Sequence, residues 1–443
     1  MNRLFAYFLL CICLFLIGIC KAQTFQPQVI PSGPTVPSPN NPFGTKIPSI
    51  PEPGGGYIQN RYRHPYSQPI TTGEQVNKRL LAEVEEDMAR RRAYSMPSCM
   101  GSPGTRGYQH AYHEIKTMLE GKDSLNLSRA VFLVENAYYR DSMDFSTFDS
   151  YLNSIVSTLL KKIADEGQGP TSNTAKILML HRFFTDTIEI RNPRTGKKQA
   201  HYPFSYDFED PTGNTDWSKQ FVSKLLAEGS GQCHSLPLLY LMLAQKMETE
   251  AYLTFSPNHS YIRFKDGYHW HNLELTNGYL TNNTWVMGSG FIKAEAVQHE
   301  LYMDTISLKR AVAVTLSDLA NGYARTHCMD GFVKRVLNTS LQYHPMTPGA
   351  LALLSNYYTI WFQHAFRVSG NPGPNDLYRY PEAVQIYRHR NALYGFLDKV
   401  GYQNMSGEAY QEWLQSAHDE AQQQEHTRLM QNINKDWPKT PQD

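Results

Sequence analysis

The stretch GSGQCHSLPLLYLML, Gly229 to Leu243, delivers one cysteine to the start of an almost wholly apolar segment. An apolar surface all round marks a buried helix. Pro237 lacks a backbone N–H and is tolerated only near a helix start, so the helix begins close to Cys233, after the turn Gly229-Ser230-Gly231. Unpaired N–H groups and the positive end of the helix dipole stabilise a thiolate there, and the thiolate is the nucleophile. Position alone leaves a second reading open, in which Cys233 is a small buried hydrophobe.

A cysteine nucleophile needs a base, and the base needs a group that holds its tautomer. The segment from Thr249 to Tyr279 alternates in residue type and carries turn residues at its centre, so it reads as strands. Taking Asp266-Gly267 as a two-residue hairpin loop pairs Lys265 with Tyr268 and Phe264 with His269. Continued, that register sets His259 directly opposite Glu274, with Cβ atoms about 4.5–5.5 Å apart. Asn272, on the same strand face, is an alternative orienting group. The oxyanion donors expected beside the Cys233 N–H are Gln232, Trp217 or Tyr206. His234 is read as structural.

These residues resemble the transglutaminase-like superfamily of papain-type cysteine hydrolases. GSGQC before an apolar helix is similar to the family's nucleophile segment, NHSYIRF to its histidine strand, and WHNLELT to the strand bearing its acid. The resemblance implies Cys233 as nucleophile, His259 as base and Glu274 as third member. It also implies an α+β core in which the nucleophile helix packs on an antiparallel sheet, flanked by helices. Here the acid is Glu rather than the commoner Asp, and Leu275 follows where the family usually has Pro. From about Leu127 to Tyr402 the chain resembles a bacterial branch with a leading helical segment and tetratricopeptide-like helices behind the core. Some relatives in that superfamily lack the cysteine.

The elements that must position these groups are legible along the 443 residues. MNRLFAYFLLCICLFLIGICKAQ reads as a signal peptide over 1–22, with a basic start, an apolar run and small residues before Gln23. A retained N-terminal membrane anchor is the alternative; otherwise the location is periplasmic, cell-surface or secreted, with no membrane span after cleavage. Residues 23–73 are proline-rich and poor in hydrophobics, the composition of an extended linker. Amphipathic helical patterns follow over 74–200, beginning with Leu80, Leu81, Val84 and Met88 at helical spacing, and Ser146 reads as a cap. The core is expected over 201–306, a helical region over 307–430 and a flexible tail over 431–443.

The helical region contains a repeat: LSDLANGY at Leu316–Tyr323 matches LALLSNYY at Leu351–Tyr358 at an offset of 35 residues. That is close to the tetratricopeptide period. Pro345 closes the first unit, and NALYGFLDKVGY suggests a third. In the chain expected after cleavage the cysteines are Cys99, Cys233 and Cys328; if the outer two pair, Cys233 is the free thiol.

Two functions compete. One is an exported thiol hydrolase or acyl transferase that cleaves an amide of a protein or peptide substrate through a Cys-His-Glu triad and a thioester. The other is an inactive scaffold whose helical repeats hold a protein or peptide partner. A metal site built on His269 and His271 would need His299 to complete it, on a face away from His259 and Glu274, and neither metal nor cofactor is expected. A net charge of +1 supplies no global field for nucleic acid, and no phosphate-cradling glycine motif is present.

Overall fold

The computed structural model describes residues 73–436, except 192–196, 374 and 406. The proposed signal peptide and nearly all of the proline-rich linker lie outside the described residues. Gly73–Ala93 forms α1. Its stripe Leu80, Leu81, Val84 and Met88 has the predicted spacing but is exposed, at 53–63%. The helix forms where the pattern predicts, yet its apolar face stays largely exposed.

Helices α2 (Thr105–Leu119), α3 (Leu127–Tyr138), α4 (Phe145–Asp165) and α5 (Asn173–Thr185) follow. Each of the last three starts at a polar residue that accepts one of the free N–H groups of the first turn. Asn126 accepts from the Arg129 N–H, Asp144 from the Thr147 N–H and Ser172 from the Ala175 N–H. The cap of α4 is therefore Asp144, and Ser146 lies inside the first turn.

Strands β1 (Ile188–Arg191) and β2 (Lys198–His201) form an antiparallel pair. β3 (Ser205–Tyr206) lies parallel to β4 (Ser230–Gly231), with α6 (Val222–Glu228) between them in sequence. α7 (Ser235–Lys246) is the apolar segment after the cysteine. Next comes a four-stranded antiparallel meander of β5 (Tyr252–Ser256), β6 (His259–Asp266), β7 (His269–Glu274) and β8 (Tyr279–Thr281). α7 packs against β5 and β6 on one side and α3 to α6 on others, which is why nearly every one of its residues is buried. The class is α+β.

After two short helices, α8 (Asn283–Ser289) and α9 (Ala294–Gln298), come α10 (Leu308–Thr326), α11 (Gly331–Tyr343), α12 (Pro348–Val368), α13 (Pro381–Lys399) and α14 (Gly407–Asp436). α10 packs on α11 and α12 on α13, and α12 also meets α10 and α11. The repeat positions Leu316, Leu319, Ala320 and Tyr323, and their counterparts Leu351, Leu354 and Ser355, are buried between these helices. NALYGFLDKVGY is not a third unit: most of it is the end of α13, the second helix of the second pair. The expected flexible tail begins inside α14, which runs on to Asp436.

The boundary expected at 307 does not divide the hydrophobic core. α10 packs on α2 and α3, and one cluster of buried side chains runs from Tyr108 to Leu414. A disulfide, Cys99–Cys328, joins the break before α2 to the turn after α10, with Cα atoms 6.0 Å apart. Cys233 is the free thiol among the described residues. Asp330 reinforces the same junction by accepting from the Cys99 N–H and the Tyr323 hydroxyl. The bridge closes a sequence separation of 229 residues. A Cys99→Ser/Cys328→Ser chain is expected to lose about 2–5 kcal/mol of stability. Urea unfolding reads this directly; equal midpoints for the bridged and unbridged chains would contradict it. No helix among the described residues is long and apolar enough to cross a membrane.

Candidate active site

The nucleophile segment is built from its glycines outward. Gly229, at φ 73°, ends α6 in the left-handed conformation that glycine adopts without cost. Gly231 then passes close to α7: a Cβ there would lie 2.6 Å from Ser235 Oγ and 3.0 Å from Leu225 Cδ1. Ser235 Oγ is occupied in accepting the Gln232 N–H at 2.9 Å. Gly231→Ala is therefore expected to push Ser235 out of place and cost about 1–3 kcal/mol, measured as a lower melting temperature. An unchanged melting temperature would show that the turn tolerates a side chain.

Cys233 is half-buried and stands two residues ahead of the first residue of α7. Its carbonyl accepts the Ser260 hydroxyl at 2.5 Å, which ties the cysteine to β6. Its N–H makes no hydrogen bond with the described residues.

His259 opens β6 and is 9% exposed. It follows the turn Pro257-Asn258, with Asn258 at φ 58°; proline then a positive-φ asparagine is the signature of a type II turn. The next hairpin departs from the expected register. Asp266 pairs with His269, so the two loop residues are Gly267 and Tyr268 rather than Asp266 and Gly267. Gly267 takes a positive φ of 57° and Tyr268 does not, the requirement of a type II′ turn with glycine first. One step beyond the last pair, Ile262 with Leu273, Glu274 falls opposite Tyr261, and His259 is its diagonal neighbour. A shift of two residues keeps every side chain on its face, and diagonal neighbours remain within reach of long side chains. His259 Nε2 and Glu274 Oε2 meet at 2.5 Å, both side chains nearly enclosed. Glu274 Oε1 accepts the Thr276 N–H at 2.9 Å.

With Nε2 committed, Nδ1 is the remaining ring nitrogen; it is buried and without a hydrogen-bond partner. Cys233 is the other group acting on this ring. Burial pulls His259 down, but Glu274 and the thiolate together push it up to about 10. Burial drives the Cys233 thiol up, and the adjoining His259 imidazolium more than reverses that, so the thiol lies below its ordinary value. Burial likewise raises Glu274, and His259 outweighs it, leaving the carboxyl below its usual range. The three groups favour a thiolate, an imidazolium and a carboxylate in a row.

The remaining candidates separate clearly. Asn272 donates to Asn283 Oδ1 at 3.0 Å and leaves His259 to Glu274. Gln232 is fully buried and donates its amide hydrogens to the carbonyls of Asp207 and Asp210, so none is left for a substrate. Trp217 has an unpartnered indole N–H, but it lines a cavity with His234, Glu135 and Asp318, and the Arg325 guanidinium lies 4.3 Å above its ring. Tyr206 comes to the thiol because β3 pairs it with Gly231. Its hydroxyl is buried and unpartnered. Burial, then the charge of Cys233, raises its pKa. His269 is exposed and His271 stacks on Phe264; no group of three or more potential metal ligands occurs among the described residues.

Two neighbours of the site escaped sequence reasoning, while His234, read as structural, pairs with Asp318 of α10 at 3.3 Å. Tyr410 and Trp413 of α14 reach the site from far along the chain: the Trp413 and His259 rings lie 4.7 Å apart, and Tyr410 stacks on Trp413. The available signal was the stripe Tyr410, Trp413, Leu414 and Ala417, which marks a packed helix face but not what it packs on. Comparison with family models, with curated proteins and with solved structures found no match to this chain in any of the three.

Proposed function

We propose that this chain is a transglutaminase-like cysteine hydrolase or acyl transferase that opens an amide bond of a protein or peptide through a thioester on Cys233. The observation that carries the reading is the buried His259–Glu274 pair, whose one free ring nitrogen is left to a half-buried thiol.

In this reading the Cys233 thiolate attacks the carbonyl carbon, and the carbonyl electrons move to oxygen. The Cys233 N–H and the Tyr206 hydroxyl donate to that oxyanion. His259 passes its Nδ1 proton to the departing amine as the C–N bond breaks, leaving a thioester. Water, or an acceptor amine, then gives a proton to Nδ1 and attacks the thioester, and the thiolate leaves. Glu274 stays ionised throughout, holding the tautomer and the cation. The Cys99–Cys328 bridge supports an exported location, because disulfides persist in oxidising compartments. The two helix pairs α10–α11 and α12–α13 support a tetratricopeptide-like region that holds a protein partner.

The test uses a small acyl donor, p-nitrophenyl acetate. The expected result is a burst of nitrophenolate with one acetyl group on Cys233, absent in Cys233→Ala. Acetylation no faster than in Cys233→Ala would favour the alternative scaffold reading. A specific observation speaks for that alternative: the aromatic side chains of α14 lie against the triad.

A further inference from the structure

α14 contributes few side chains to the core, and those it does contribute converge on one place. Tyr410 is buried and its ring stacks on that of Trp413 at 6.0 Å, with burial and the charge of Cys233 both raising its pKa. Trp413 lies against the His259 ring at 4.7 Å, tilted by 56°. One turn further on, His418 meets Phe208 edge-on at 4.9 Å. Glu420 then accepts the side-chain N–H of Asn277 at 2.6 Å, in the turn that follows Glu274. At the other end, the Met405 N–H donates to Asn258 Oδ1, directly before His259. One helix thus touches the flank of the nucleophile, the base and the loop after the acid, and it is pinned on both sides of them. The outward residues Gln411, Glu412, Gln415 and Ser416 are exposed, so the helix is a roof with a wet upper side.

We infer that Tyr410 and Trp413 of α14 are the specificity-determining residues of the site, admitting slender, unbranched acyl groups to Cys233 and refusing branched ones. This rests on the reading of Cys233 as an acyl acceptor. The physical reason is steric. A scissile carbonyl must come within bonding distance of the sulfur, and the space above the adjoining imidazole holds an indole. An unbranched arm, such as the end of a long side chain or a free chain end, needs only a narrow passage beside that ring. A quaternary carbon next to the carbonyl needs the volume the ring occupies, and closely packed rings do not yield that volume cheaply.

The experiment compares p-nitrophenyl butyrate with p-nitrophenyl pivalate as donors to the full chain. The readout is the ratio of their kcat/KM values for nitrophenolate release, which cancels the intrinsic difference between the esters when chains are compared. The butyrate preference is expected to fall at least tenfold in Trp413→Ala, with an intermediate ratio in Trp413→Phe. Glu420→Ala, which releases the Asn277 anchor without touching the triad, is expected to lower the ratio by about threefold while the butyrate rate stays within twofold of the parent's. Circular dichroism melting establishes that each variant is folded. A ratio unchanged in Trp413→Ala and in Tyr410→Ala, with both chains folded, overturns the inference and leaves the thiol chemistry intact. If neither ester acylates Cys233 in any of the chains, the acyl-transfer reading itself fails and the roof falls with it.

Discussion

Replacing His259 by alanine is expected to slow alkylation of Cys233 by iodoacetamide at about pH 6 by on the order of 100-fold or more. The reagent reacts with the thiolate and is small enough to reach a half-buried sulfur. In the parent, His259 holds the thiol below its ordinary value against the opposing effect of burial. Remove the imidazolium and burial acts unopposed, so the thiol moves up and the ionised fraction in mild acid becomes very small. The sign of the pH dependence follows. The parent's rate persists into acid, because the thiolate–imidazolium pair survives from the lowered thiol pKa up to about 10, where His259 loses its proton. The variant's rate climbs with pH and approaches the parent's only in strong alkali. The bridged pair, Cys99 and Cys328, contributes no background. Rates for the two chains that agree across the pH range would mean that the ring does not act on the sulfur, and the triad would be an accident of packing.

The second large effect is at Glu274. Glu274→Ala is expected to destabilise the chain by about 3–5 kcal/mol, because it strands a buried charged or polar partner, and urea unfolding measures it. Glu274→Gln separates charge from shape: its side-chain oxygen can still accept the Thr276 N–H, but the charge that raises His259 is gone. Burial then pulls His259 down, the thiolate loses its cation near neutrality, and acylation is expected to fall by about 100-fold. The stability difference between the parent and Glu274→Gln should also depend on pH. Glu274 has a lowered folded pKa, so its contribution is present above about 4.5 and lost as pH falls through the folded value. His259 has a raised one, so its contribution is full below 6.5 and lost as pH rises through about 10. The difference is thus expected to be greatest between these unfolded values and to shrink toward both extremes. A difference that stays constant from pH 3 to pH 11 would show that Glu274 and His259 are not an ion pair.

Much of this site was readable in the linear chain, for reasons that can be given residue by residue. Pro237 confines a helix start to the neighbourhood of Cys233, and glycines at 229 and 231 permit the left-handed turn and the close approach that precede it. The strand pattern sets His259 and Glu274 on one face, although the loop lies one position further along than Asp266-Gly267. The strand period is two, so moving the register by two changed opposite neighbours into diagonal ones and left both side chains on one face. A slip of one residue would have parted them. The repeat at an offset of 35 residues was legible because both copies bury the same helix face.

Other features were decided by contacts between distant segments, for which local patterns carry no information. Gln232 had the right type and place for an oxyanion donor, and only the fold shows its amide spent on the carbonyls of Asp207 and Asp210. Tyr206 was one of several candidates until the parallel pairing of β3 with β4 carried it to the sulfur. The exposed stripe of α1 and the buried stripe of α14 look alike as sequences. One stays exposed and the other lies against His259, because a helical period specifies that a face is apolar and tertiary packing alone specifies what that face meets.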